Sequence, residues 1–345
     1  MGIPGESWCR IKATIEVLSD PNELARTAAQ LIVDRGRDAL SKSDAFTVAV
    51  SGGSTPKLLY ELLANQFNTQ IDWKQTHFFW TDERHISPEH KDSNYRMVAE
   101  AMLSRVPVPP TNVHRMLAEL PDAADVANDY EVQLKSFFKL SSDALPRFDL
   151  ILLGLGEDGH TASIFPCSEV TSVDRRLVIS PWVPKLNSYR ITLTLPVLNN
   201  AKRVIFLVSG EAKANILKEV LQGEASRFPA QSIEPTNGKL IWLTDRAAAN
   251  KLNKAVTRHR TPRRTMSLPI EVIEFLNNNA ASNGVSEPNA TLDLFNSGAL
   301  DSFALVDFVT VLEEHCGISV PDAEVIPANF RTIEAIDRYV AERRN

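Results

Sequence analysis

Short, unbroken apolar runs alternate with amphipathic stretches along most of this chain. The apolar runs are residues 46–50, 77–80, 148–153, 204–208 and 240–243, and helical periodicity covers residues 23–39, 56–63, 93–103, 122–138 and 213–221. Strands without polar alternation are buried on both faces, which is typical of parallel sheets covered by crossover helices. The pattern therefore predicts an α/β fold, a doubly wound and mainly parallel sheet with flanking helices.

Charge is distributed unevenly along the 345 residues. Residues 267–345 carry 13 acidic and 4 basic side chains, whereas residues 1–266 carry 30 acidic and 33 basic ones. A basic, proline-interrupted segment without apolar periodicity, residues 257–266, separates the two parts and is typical of a linker. We predict an α/β domain at 1–256, a linker at 257–266 and a second domain at 267–345.

Composition excludes several classes of protein. The net charge of −6 disfavours bulk nucleic-acid binding, and no apolar run is long enough to cross a membrane. Three cysteines without paired spacing are typical of a reducing compartment. We therefore expect a cytoplasmic protein without nucleic-acid or membrane partners. The spacing of His77, His85 and His90 matches no zinc pattern, so no metal is expected.

In a parallel α/β sheet, ligands bind outside the carboxyl ends of the strands. The motif SGGSTP (51–56) follows one apolar run, TDER (81–84) follows the next and SGEAK (209–213) follows a fourth. Free N–H groups at a helix start bind anions, and Arg and Lys side chains pair with phosphate. Taken singly, each motif also fits an ordinary turn or surface ion pair. Together they predict a phosphate site formed by Gly52, Gly53, Ser54, Thr55, Arg84 and Lys213.

The third apolar run ends in the sequence GLGEDGHTAS, residues 154–163. Its glycine spacing superficially matches the dinucleotide-binding fingerprint, but that fingerprint normally opens the first strand of its fold. A histidine in a glycine-rich loop at a strand end is well placed for acid–base chemistry near neutral pH. We predict that His160 is a general base, and that Asp82 orients either a substrate hydroxyl or a catalytic imidazole.

These motifs together resemble the 6-phosphogluconolactonase family over roughly residues 10–255, and the 154–163 block is the most specific of them. The resemblance implies hydrolysis of 6-phospho-D-glucono-1,5-lactone, a step of the pentose phosphate pathway, without a redox cofactor or metal. The related glucosamine-6-phosphate deaminases carry a catalytic glutamate five residues after the histidine. Here that position is Phe165, as in the lactonases.

Lactone hydrolysis needs an activated water, a stabilised oxyanion and a protonated leaving oxygen. On this resemblance His160 deprotonates the water and then protonates the C5 oxygen, and either Asp158 or Asp82 orients its imidazole. Backbone N–H groups of the loop that contains Gly154, Gly156 and Gly159 are the expected oxyanion donors. The phosphate residues named above position the substrate.

Three amphipathic stretches, residues 268–281, 302–316 and 332–341, predict a small all-α helical bundle in the second domain. The sequence around Asp301-Ser302-Phe303 resembles acyl carrier and peptidyl carrier proteins. In that family the matching serine carries 4′-phosphopantetheine, which assigns the group to Ser302. The expected partners are a phosphopantetheinyl transferase and an acyl- or aminoacyl-loading enzyme. Asp307, Glu313 and Glu314 are candidates for an acidic docking face.

Three hypotheses follow for the joined domains. The first is an ordinary lactonase whose carrier-like domain is either vestigial or a docking module. In the second, both domains are active and the carrier presents a thioester to another enzyme. In the third, the first domain isomerises, deaminates or merely binds a sugar phosphate on behalf of a carrier-dependent pathway.

Overall fold

The chain divides into two units, Met1–Thr261 and Pro262–Asn345. This division falls inside the predicted linker, most of which lies outside the described residues. The computed structural model describes residues 13–166, 175–253, 258–259, 268–285, 288, 292–301 and 303–343. Within those ranges, no helix combines the length and the apolar character needed to cross a membrane.

The described strands of the first unit form one large sheet and one small one. In chain order the strands are β1 Ala13–Leu18, β2 Phe46–Val50, β3 Thr76–Trp80, β4 Asp82–Arg84, β5 Val113–His114, β6 Leu150–Leu153, β7 Val178–Ile179, β8 Trp182–Val183, β9 Ser188–Leu193, β10 Arg203–Val208, β11 Lys239–Asp245 and β12 Arg258–His259. The large sheet has the order β12-β1-β11-β10-β6-β2-β3-β5, and every neighbouring pair in it is parallel. The predicted parallel α/β sheet is confirmed.

Helices follow most of the parallel strands. They are α1 Pro21–Leu40, α2 Ser54–Gln66, α3 Asn94–Ala101, α4 Ala123–Phe137, α5 Leu195–Asn199, α6 Ala214–Gln222 and α7 Arg246–Ala249. Strands β2 and β6 are buried at every position, because helices cover the sheet on both faces. Each of the five predicted strands and five predicted helices of this unit is present, with ends shifted by a few residues.

The strand order places four loops side by side. Strands β10, β6, β2 and β3 are consecutive in the sheet. Because they are parallel, the loops that begin at Ser209, Gly154, Ser51 and Thr81 leave the same edge. A short antiparallel sheet extends this edge, since β4 follows β3 after one residue and pairs with β9. The sequence motifs are therefore adjacent in space although they are distant along the chain.

The second unit contains three described helices, as predicted. They are α8 Ile270–Ser282, α9 Ala304–Cys316 and α10 Ile333–Arg343. A separate core holds them together, and its fully buried members include Leu276, Phe308, Leu312, Phe330 and Ile336. Helix α9 begins two residues later than the sequence predicts. The Asp301 carboxylate accepts hydrogen bonds from the backbone N–H groups of Phe303 and Ala304, at 2.9 and 2.8 Å, and so caps this end.

Candidate active site

A cavity of about 610 Å³ opens at the carboxyl edge of the large sheet. The loops after β2, β3, β6 and β10 form its walls, together with the β8–β9 hairpin. The predicted site residues that line it are Gly52, Gly53, Ser54, Thr55, Asp82, Arg84, Gly154, Gly156, Asp158, His160 and Lys213. Parallel strand order thus brings together residues from four separate motifs.

The loop after β2 is shaped by two glycines. Gly53 has φ +109°, a conformation that side chains rarely adopt. A Cβ atom on Gly52 would overlap the side-chain amide of Asn94. These glycines allow α2 to begin at Ser54 with its first turn against the cavity, and no side chain caps that helix end. The first N–H groups and the helix dipole therefore favour an anion here.

Two arginines face each other beside this loop. Arg84 on β4 lies directly opposite Arg190 on β9, and both line the cavity. Burial lowers the pKa of Arg190, and the nearby positive charge of Arg84 lowers it further. Arg84 donates to the backbone carbonyl of Asp92, which fixes its guanidinium. Two neighbouring guanidinium groups that open onto one cavity form a strong binding site for a dianion such as phosphate.

The His160 imidazole is held by Asp158. Nδ1 of His160 lies 2.5 Å from Oδ1 of Asp158, and Lys185 donates to the other carboxylate oxygen. Burial raises the pKa of Asp158, but the hydrogen bonds from Lys185 and His160 outweigh it and bring the pKa to about 2. Asp158 is therefore ionised at neutral pH and only accepts hydrogen bonds. The proton of a neutral His160 must then be on Nδ1, which leaves the Nε2 lone pair available as a base.

In the 154–163 loop, Gly156 and Gly159 are needed for the backbone conformation rather than for binding an oxyanion. The N–H of Gly156 donates to the carbonyl of His160 at 2.8 Å, and the N–H of Gly159 donates to the carbonyl of Gly156 at 3.0 Å. Both amides are thus already used, which corrects the expectation that they hold an oxyanion. A Cβ on Gly156 would overlap the His160 ring, and Gly159 has φ +79°. Of the three glycines, Gly154 alone stays a predicted oxyanion donor.

Asp158 contacts His160, whereas Asp82 contacts Ser163 and Asn94. Oδ2 of Asp82 accepts a 2.6 Å hydrogen bond from Ser163 Oγ, and the Asp82 carbonyl accepts one of 2.9 Å from Asn94 Nδ2. Asp82 is buried, so these bonds tie the loop after β6 to β4 and α3. Of the two carboxylates predicted to orient the imidazole, the structure brings Asp158 to it.

Glu83 has a structural function although it lies between two site residues. Its buried carboxylate accepts from the backbone N–H groups of Asn94 and Tyr95 at 2.8 and 2.7 Å. Burial raises its pKa, against the effect of these hydrogen bonds. Glu83 therefore holds the start of α3, which carries Asn94, in place against the cavity.

The loop after β10 is held by a neighbouring strand. Asp245, at the end of β11, is buried and accepts from Ser209 Oγ at 2.6 Å and from the N–H of Gly210 at 3.0 Å. This anchors the turn before Lys213, which lines the cavity. The cation predicted from the motif thus reaches the same cavity as Arg84.

The structure adds lining residues that the sequence reasoning did not assign. They include Asn94, Ser163, Phe165, Lys185 and Arg190. Asn94 lies ten residues after Arg84, and Phe165 lies two residues after the 154–163 block, so both are close in sequence to predicted site residues. Lys185 and Arg190 reach the cavity through the antiparallel sheet, which no local pattern predicts.

In the second unit, the predicted attachment residue Ser302 lies outside the described residues. Its neighbours Asp301 and Phe303 are both exposed, and the Phe303 side chain is 90% exposed. Val306, in the first turn of α9, is 62% exposed. The described neighbours of position 302 are thus open to solvent, as attachment of a group by an enzyme requires.

Comparison with known proteins identifies the families that the two units match. Residues 19–242 match the family described as glucosamine-6-phosphate isomerases/6-phosphogluconolactonase, and residues 283–340 match the phosphopantetheine attachment site family. The chain is 41% identical over 240 residues to 6-phosphogluconolactonase from Synechocystis sp., covering 69% of this chain and 98% of the relative. It is 37% identical over 257 residues to the human 6-phosphogluconolactonase, covering 72% and 96%.

Solved structures also match the first unit of this chain. The 6-phosphogluconolactonase from Trypanosoma brucei matches with a TM-score of 0.63 and 30% identity, covering 70% of this chain and 100% of that one. A monomeric glucosamine-6-phosphate deaminase matches at 19% identity with a TM-score of 0.59, which shows a shared fold. Both resemblances inferred from the motifs, including that of the second unit to carrier proteins, are confirmed. The chain belongs to the glucosamine-6-phosphate isomerase/6-phosphogluconolactonase family.

Proposed function

We propose that this chain hydrolyses 6-phospho-D-glucono-1,5-lactone to 6-phosphogluconate. The observation that carries the proposal is the His160 imidazole, held by the ionised Asp158 through Nδ1 in a cavity that also contains paired arginines. A base and a dianion site in one cavity suit a phosphorylated substrate whose reacting carbon lies away from its phosphate.

The reaction needs one proton carrier. Nε2 of His160 takes a proton from water as the water oxygen attacks C1 of the lactone. The tetrahedral intermediate then collapses with cleavage of the bond between C1 and the ring oxygen. The imidazolium returns its proton to that oxygen, which becomes the C5 hydroxyl. Asp158 stabilises the imidazolium without taking the proton, and the acid product ionises in solution.

The phosphate is assigned to the other side of the cavity. Arg84, Arg190 and Lys213 supply the charge, and the N–H groups at the start of α2 supply directed donors. Binding energy at the phosphate fixes C1 relative to the water and the base. The hydrogen bond from Ser163 to Asp82 holds the loop that carries His160 in a fixed position relative to the phosphate site.

Deamination of glucosamine 6-phosphate is the alternative within the family. Phe165 packs against the His160 ring, with centroids 4.3 Å apart, so an apolar ring occupies the position where the deaminases carry their catalytic glutamate. The deciding experiment offers the full chain both substrates, with lactone generated by oxidation of glucose 6-phosphate. We expect lactone loss well above the spontaneous rate and no ammonia from glucosamine 6-phosphate. Ammonia release without lactone hydrolysis would contradict the proposal.

For the second unit we propose 4′-phosphopantetheine on Ser302, where the group would supply a terminal thiol for thioester formation. Asp301 would keep the start of α9 in place beside the attachment point. The test is the intact mass of the full chain after incubation with coenzyme A and a promiscuous phosphopantetheinyl transferase. We expect a phosphopantetheine-sized gain that is lost in Ser302→Ala and kept in Ser297→Ala. A gain kept in Ser302→Ala would contradict the assignment.

We extend the proposal for the second unit to its loading partner and to the cellular location of the chain. An acyl- or aminoacyl-loading enzyme would act on the thiol, and a cytoplasmic location would supply both sugar phosphate and coenzyme A. The three cysteines of the chain, without paired spacing, agree with a reducing compartment.

A further inference from the structure

Lys185 is the one lysine of the β8–β9 hairpin, and it reaches from the tip of the hairpin into the catalytic loop. The tip is the short turn Pro184–Leu186, which ends at Asn187 in a left-handed conformation. The Lys185 ammonium donates to Oδ2 of Asp158 and lies 4.5 Å from the centre of the Phe165 ring. The hairpin thus contacts the residue that holds the base.

We infer that Lys185 is a positioning residue that fixes the Asp158 carboxylate in the rotamer that serves His160. This inference deepens the proposed function and rests on it. A carboxylate held at one oxygen only can rotate, whereas Asp158 is held at Oδ2 by Lys185 and at Oδ1 by His160. Outer hydrogen-bond partners of this kind fix both the tautomer and the ring orientation of a histidine.

The contact with Phe165 supports this assignment over a loose surface ion pair. The face of an aromatic ring attracts an ammonium group, so the ring restricts where Nζ can lie. Phe165 in turn packs against the His160 ring. Each of these four side chains therefore contacts two of the others, which limits its motion. The four are Lys185, Asp158, His160 and Phe165.

Lys185 is one of several charged groups around the imidazole. The other charged groups that line the cavity are Asp82, Arg84, Glu157, Arg190 and Lys213, and a substitution at Lys185 leaves them in place. Removing the ammonium group alone therefore tests how well the Asp158 carboxylate, once it has no partner at Oδ2 from Lys185, still holds the Nδ1–H group of His160.

The test compares Lys185→Met with Lys185→Arg in the full chain. Lys202→Met is the matched control, because Lys202 also pairs with an aspartate, Asp149, at 2.6 Å. Its side chain is 54% exposed, against 51% for Lys185, and it precedes β10 at the opposite edge of the sheet. The ring ¹⁵N chemical shifts of the imidazole, which report its tautomer, are measured by NMR, with His160→Gln to assign the signals, and kcat and KM are measured alongside.

In Lys185→Met we expect a smaller share of the Nδ1–H tautomer of His160, because the Asp158 carboxylate is then held less firmly. We also expect kcat to fall by roughly tenfold or more, with KM within about threefold of the original. Lys185→Arg should recover most of both, and Lys202→Met should change neither. A rise in KM with an unchanged tautomer and kcat would make Lys185 a substrate ligand and overturn the inference, as would no change at all.

The NMR measurement needs no substrate. Absence of lactone hydrolysis by the unmodified chain would defeat the proposed function, yet the tautomer would still show whether Lys185 acts on His160 through Asp158. Correct folding of each variant is read from the same spectra.

Discussion

Oδ1 of Asp158 lies 2.5 Å from Nδ1 of His160, and the pKa of this carboxyl, about 2, keeps it ionised at neutral pH. An ionised carboxylate cannot donate, so the contact fixes which imidazole nitrogen carries the proton. The proposed chemistry depends on this one relationship, because it would leave Nε2 free to accept a proton from water.

Asp158→Asn tests the tautomer. An amide can present its NH₂ group to Nδ1, which would place the imidazole proton on Nε2 and remove the base. We expect kcat to fall by about 10²- to 10⁴-fold with little change in KM. Steady-state kinetics at pH 7 measures both, with Asp143→Asn, an exposed loop residue, as the control. A kcat within twofold of the original would show that the tautomer is set by other means.

Arg190→Ala tests the paired-guanidinium site. Loss of hydrogen bonds to a charged group costs about 1.5–3 kcal/mol, so KM should rise by roughly 10- to 100-fold. Because the phosphate is distant from C1, kcat should fall much less. Arg96→Ala is a suitable control, since Arg96 pairs with Glu100 on the outer side of α3. An unchanged KM would remove Arg190 from the phosphate site.

Gly156→Ala tests the packing of the catalytic loop. The added methyl group would overlap the His160 ring, so the ring must move away from Asp158 and activity should fall by at least about tenfold. In Gly154→Ala the methyl group meets no atom within 4 Å, and the loss should be smaller. Equal losses of activity in the two variants would contradict this account. They would show that an added methyl group disturbs the loop without contact with the His160 ring.

The motifs that lie directly after strands were predictable because they are contiguous. The block from Gly154 to Ser163 follows a fully buried strand, and parallel order alone brings it beside Ser51 and Thr81. The same reasoning led to Arg84 and Lys213. Local sequence was therefore sufficient to predict the large sheet and several residues that line the cavity at its carboxyl edge.

Arg190 and Lys185 could not be found in this way. Each reaches the cavity through the pairing of β9 with β4 or β8, and that pairing joins segments about a hundred residues apart in the case of Arg84 and Arg190. No periodicity in a two- or three-residue strand reports such a contact. The choice between Asp82 and Asp158 was likewise a question of side-chain direction, which spacing alone does not decide.

Stability should depend on pH through a histidine pair outside the site. Nδ1 of His77 lies 3.1 Å from Nε2 of His114. Burial, and then the neighbouring His77, lower the pKa of His114 to about 4, and burial lowers that of His77. The unfolded chain therefore binds more protons than the folded one, and the stabilisation is complete above about pH 6.5 and is lost as pH falls toward 4.

After allowance for partial exposure of the ring, this loss should amount to about 1–2 kcal/mol. Urea unfolding between pH 7 and pH 4 measures it. His114→Phe keeps the stacking on Phe79 and should flatten the dependence, whereas exposed His90→Gln should leave it intact. An equal slope in His114→Phe and the original chain would contradict this account.

The most direct test of the central claim is the turnover of 6-phosphogluconolactone by the full chain and by His160→Gln. We expect hydrolysis by the original chain far above the spontaneous rate. In His160→Gln, kcat should fall by about 10²- to 10⁴-fold while KM stays within about threefold. A variant that retains half or more of the original kcat would show that His160 is not the base and would contradict the mechanism.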